Sequence, residues 1–71
     1  MLEGCYDCLL EARAIYERLA VGRARPLILE RLFEATALVA LRERELALDA
    51  DPALARAKEL ATALPQALEA P

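Results

Sequence analysis

Apolar and polar positions recur along this chain with the period of an α-helix, and the pattern breaks at three places. From Cys5 the apolar residues run Cys5, Leu9, Ala12, Tyr16 and Leu19, in alternating steps of four and three. Cys8 and Ile15 widen the stripe, and Asp7, Glu11 and Arg18 share the opposite side. This spacing predicts an amphipathic helix over residues 5–21, opened at Gly4. Asp7 near its start suits the helix dipole, and Gly22 suits the left-handed position that ends a helix. Arg23, Ala24 and Arg25 form a short connection, with Arg25 kept out of helical geometry by the proline that follows.

A second helix is predicted over residues 26–48. Pro26 stands at its first position, where a missing N–H costs nothing. One side carries Ile28, Leu32, Ala35, Val39 and Leu46, and beside it lie Leu29, Phe33, Thr36, Ala40 and Ala47. Such a broad apolar arc predicts neighbours on two sides. At Arg42–Glu45 every direction is charged, so the helix is expected to leave the core there. Asp51-Pro52 marks a third start, with Asp51 as N-cap and Pro52 at the first position. Leu54, Ala57, Leu60, Ala61 and Leu64 line the inner side of a helix over 52–64, and Arg56, Lys58, Glu59 and Thr62 the wet side. Pro65 is expected to end it, leaving residues 65–71 as a tail.

The fold class is therefore all-α. It is a single helical domain over residues 1–71, a three-helix array with a long central helix. Short connections make neighbouring helices antiparallel. Composition agrees: sixteen Ala and fifteen Leu head the helix-propensity order, against two Val, two Ile, two Thr and three aromatics as strand formers. The Ala-, Leu- and Arg-rich bias also fits a high-GC bacterial genome. A chain of 71 residues buries only about 60% of its unfolded surface, so help from a disulfide, a metal or oligomerisation is expected.

Charge narrows the function classes. The net charge is −3, with both signs interspersed, so a nucleic-acid footprint is not expected. The longest uncharged stretch in the middle of the chain, Ala35–Leu41, is far short of the ~20 residues a membrane helix needs. Glu3 and Asp7 stand where a secretory signal would be basic, so a cytoplasmic location is expected.

Gly4-Cys5-Tyr6-Asp7, then Leu9-Leu10-Glu11-Ala12 and Tyr16-Glu17-Arg18-Leu19, resembles the start of the second helix of a tetratricopeptide repeat. That helix typically reads Gly-x-Tyr-x-x-Ala, then an aromatic, then Ala-Leu, and Leu9 falls at the usual alanine. The resemblance implies a repeat boundary at Pro26, with the second and third helices forming the next repeat as a hairpin. It also implies a protein-interaction module without a cofactor. Three features depart from the pattern. Pro26 lies about five residues too far from Gly4, the second helix is too long, and the turn before Asp51 lacks the family's glycine. At a 34-residue offset Leu9 and Leu10 fall on Glu43 and Arg44, so the chain does not repeat itself.

Candidate chemistry is sparse. Without His or Ser no Ser/His/Asp set can form, and two isolated glycines make no phosphate loop. Glu30 and Glu34 stand one turn apart but share their face with Arg31, and no catalytic residues are assigned. Cys5-Tyr6-Asp7-Cys8 is the one sharp motif. Both cysteines fall on the apolar stripe, which favours core packing. The alternatives are thiol redox chemistry, helped by a helix N-terminus but opposed by Glu3, Asp7 and Glu11, or zinc shared between two chains, since one chain supplies two of four ligands. Haem attachment would need His where Leu9 stands.

One feature points to a partner. Leu27, Leu38, Leu41 and Leu48 cluster in a narrow arc of the second helix, away from the broad core face and interleaved with Arg31, Glu34 and Glu45. An apolar patch rimmed by charge marks an interface. The expected function is a helical scaffold or interaction module that pairs with itself as a dimer through these leucines.

Overall fold

The computed structural model describes residues 5–21 and 25–69, and the chain folds as three α-helices. They are α1 (Tyr6–Leu19), α2 (Pro26–Glu45) and α3 (Asp51–Glu69), with no strand among the described residues. The roles expected of Gly4 and Gly22 lie outside the described residues.

Arg25 is extended (φ −69, ψ 149) and α2 begins at Pro26, as the proline requires. α2 packs against both α1 and α3, which accounts for its broad apolar arc. The start of α1 meets the end of α2, where the Tyr6 hydroxyl donates to the Glu43 carboxylate at 2.7 Å. Ala53, at the start of α3, shares one core cluster with Leu9 of α1 and with Val39 and Ala40 of α2. Both outer helices thus run back along the central one. Leu32, Ala35, Thr36 and Leu60 are also buried. With so many alanines among these residues, the helix backbones can approach closely.

α2 stops three residues earlier than its apolar pattern suggested. Its end is a Schellman turn: the Leu48 N–H bonds the Glu43 carbonyl at 2.7 Å, and the Ala47 N–H bonds the Arg44 carbonyl at 3.1 Å. The left-handed position that this turn needs is held by Ala47, at φ 58. Leu46, Ala47 and Leu48 are consequently exposed and not part of the helix face.

α3 differs at both ends. It starts at Asp51, and the carboxylate that caps it belongs to Asp49, which accepts the Asp51 N–H at 3.0 Å. The first intrahelical bond, Leu54 N–H to the Ala50 carbonyl, is 2.9 Å. Pro65 does not end the helix, which runs on to Glu69. The proline forfeits one hydrogen bond, to the Ala61 carbonyl, near an exposed helix end where that bond is worth least. Ala67 and Leu64 remain half-buried on either side of it.

The buried side of α1 is shifted from the one its apolar residues mark, keeping Leu9, Ala12 and Tyr16 but not Ile15 or Leu19. Tyr6, Leu9, Arg13, Tyr16 and Glu17 face its neighbours, whereas Ile15 and Leu19 are about half exposed, at 49% and 56%. The rotation brings two polar contacts inward, Tyr6 to Glu43 and Glu17 to Arg56. Long polar side chains cover apolar surface with their stems while their heads pair, so a count of apolar residues misplaces the buried side.

Candidate functional site

The four leucines of the expected interface part company in the structure. Leu27 and Leu41 are each 58% exposed on the outward side of α2. Leu38 is half-buried and packs against the Leu9, Val39, Ala40 and Ala53 cluster, so it belongs to the core. Leu48 lies in the turn beyond α2 and is not on the helix face. Between Leu27 and Leu41 on the same face stands the ion pair Arg31–Glu34, at 3.0 Å with both side chains 52% exposed. Such a pair is weak, because water screens it. Glu45, on the same face, pairs with Arg42 at 3.4 Å. The outward face of α2 is therefore two leucines separated by a weak, exchangeable pair of opposite charges.

Inside the charged run Arg42–Glu45, Glu43 is engaged by Tyr6. Donating that bond raises the Tyr6 phenol above its ordinary 10.0, because the Glu43 carboxylate that accepts it favours the protonated form. Glu30 and Glu34 are both exposed, and Glu34 is taken up by Arg31.

A second tie was not visible in the sequence. Arg56, expected on the wet side of α3, donates two hydrogen bonds to Glu17 of α1, at 2.9 and 2.7 Å, and reaches Glu59 at 3.4 Å. The forked pair clamps α1 to α3 across the bundle. The guanidinium hydrogen bonds hold the Glu17 carboxyl below its ordinary 4.5, outweighing the opposing effect of partial burial. Each partner stands on its own helix as an ordinary surface charge, so no single-helix period could have paired them.

The cysteines are not core residues. Cys8 is exposed and Cys5 is half-buried, whereas Tyr6 and Leu9 of the same turn pack on the core. Cys5 is the N-cap of α1, in extended geometry (φ −142, ψ 118), and its sulfur accepts the Cys8 N–H at 3.3 Å. Among the described residues no group of three or more His, Cys, Asp or Glu side chains is placed to hold a metal ion. No helix among them is long and apolar enough to cross a membrane.

Compared with known proteins, the chain matches no family, no curated protein and no solved structure.

Proposed function

We propose that this chain is a non-catalytic helical interaction module that pairs with a second copy of itself through the outward face of α2. The observation that carries the reading is the exposure of Leu27 and Leu41, each 58%, on either side of the Arg31–Glu34 pair. Leu27 and Leu41 are close to four helical turns apart, about 21 Å along the axis. An antiparallel two-fold pairing centred at Glu34 sets Leu27 of one copy against Leu41 of the other. It also sets the two Glu34 side chains against each other on the axis, with each Arg31 within a turn of the other copy's Glu34 to offset their like charge.

A tetratricopeptide-like hairpin plus one helix remains the architecture we favour, on the strength of the Gly4–Leu19 resemblance and of α2 lying between two helices that run back along it. The absence of His and Ser supports a non-catalytic role.

Size exclusion coupled to light scattering tests the reading. A dimer mass at tens of micromolar, reduced to a monomer by Leu41→Glu, is expected. Leu38→Glu is unsuitable, because that side chain packs against the core and its replacement would also cost stability. A monomer whose mass does not respond to Leu41→Glu removes the proposal.

A further inference from the structure

The two thiols of α1 are reactive groups that association through α2 leaves unused. Both are reachable from solvent, the exposed Cys8 more than the half-buried Cys5. They stand three residues apart at the start of α1, Cys5 as its N-cap and Cys8 in its first turn. The extended backbone at Cys5 turns its sulfur back over the first turn, within 3.3 Å of the Cys8 nitrogen. The two thiols thus share one end of the helix, and closing a disulfide between them requires their Cβ atoms to approach to about 3.5–4.5 Å.

We propose that Cys5 and Cys8 form a dithiol that exchanges with disulfide-bearing molecules, Cys5 attacking and Cys8 resolving. In the first step the Cys5 thiolate attacks one sulfur of the substrate disulfide. A Cys5–substrate S–S bond forms, the substrate S–S bond breaks, and one substrate thiolate leaves and takes up a proton. In the second step Cys8 loses its proton to solvent and attacks the Cys5 sulfur. The Cys5–Cys8 bond forms, the mixed disulfide breaks, and the second substrate thiolate leaves and is protonated. The chain gives up two electrons and two protons, and one disulfide becomes two thiols.

The roles follow from placement. Cys5 sits at the positive end of α1, where the Cys8 N–H donates to its sulfur at 3.3 Å. Hydrogen bonding from Cys8 holds Cys5 below the ordinary thiol value of 9.0, against partial burial and the charge of Asp7. Cys8 moves the other way, first because it donates to Cys5 and further because of Glu11. The second step is intramolecular and therefore fast once the first has occurred. This inference does not depend on self-association.

The test uses the whole reduced chain equilibrated with graded mixtures of reduced and oxidised glutathione, then acid-quenched, alkylated and weighed by intact mass spectrometry. The expected result is loss of two hydrogens as a monomeric disulfide while the glutathione is still mostly reduced, with little glutathione adduct. Cys8→Ser should trap glutathione on Cys5, and Cys5→Ser should react several-fold more slowly. Serine is a good N-cap, so Cys5→Ser keeps the helix start. Stable adducts on both thiols, disulfide-linked chains, or thiols that stay reduced until the glutathione is mostly oxidised would each overturn the proposal. Equal rates for the two serine variants would overturn the assignment of roles.

Discussion

Replacing Ala47 with glycine should stabilise the protein, and the sign of the effect separates two accounts of how α2 ends. Ala47 holds φ 58 at the left-handed position of the Schellman turn, where its Cβ crowds the following carbonyl. That conformation costs an L-residue about 1–2 kcal/mol. Glycine removes the cost but gives the unfolded chain more freedom, which takes back about 0.4–1 kcal/mol. The net gain is about 0.5–1 kcal/mol, and at about 4–8 °C per kcal/mol for a domain of this size it raises Tm by roughly 2–8 °C. If α2 instead ran on to residue 48, as its apolar pattern suggests, glycine would sit inside a helix and cost about 1 kcal/mol. Thermal unfolding followed by far-ultraviolet circular dichroism gives the answer. Ala55→Gly is the control, since Ala55 is exposed inside α3 and its replacement should lower Tm. A fall in Tm for both variants would refute the left-handed turn.

Two further substitutions probe the interior. Thr36 is fully buried (0% exposed), and among the described residues its hydroxyl has no hydrogen-bond partner. Thr36→Val keeps the branched shape and removes the unpaired group, so it should stabilise by about 1 kcal/mol or more in a denaturant titration, and unchanged stability would mean the hydroxyl is satisfied. Glu17→Gln should cost about 0.5–1 kcal/mol at neutral pH, a modest figure because both partners are 37% exposed. Because the folded Glu17 titrates below 4.5, its contribution is present above that pH and is lost as pH falls through the folded value. Wild type and Glu17→Gln should therefore converge in strongly acidic solution, and a constant difference would show that the Arg56 pair is not its source.

Much of the fold was legible because each helix obeys a local period. Leu9, Leu32, Ala35, Val39 and Leu60 are buried where the 3.6-residue spacing puts them, and Pro26 starts α2 through its own restricted geometry. What was not legible depends on partners distant in sequence or on backbone choices without a residue signature. Arg56 and Glu17 are 39 residues apart and look like wet-side charges until the bundle brings them together. The inward side of α1 includes Tyr6 and Glu17 and leaves Cys8 exposed and Cys5 half-buried. Ala47 takes a conformation usually held by glycine, so nothing in its identity announces a helix end. Among the candidate interface residues, Leu27 and Leu41 were placed by period alone. Leu38 was claimed by the core, and Leu48 depended on where α2 stops.

The central claim is that α2 pairs antiparallel with α2 of a second copy, Leu27 against Leu41. Sedimentation equilibrium on a set of charge variants tests it most directly. Wild type should be dimeric at tens of micromolar. Leu41→Glu alone and Leu27→Lys alone should each weaken the dimer, and the two substitutions combined should restore part of it, because the new charges then face each other across the two-fold axis. A monomeric wild type, or single variants that dimerise as tightly as wild type, would contradict the account.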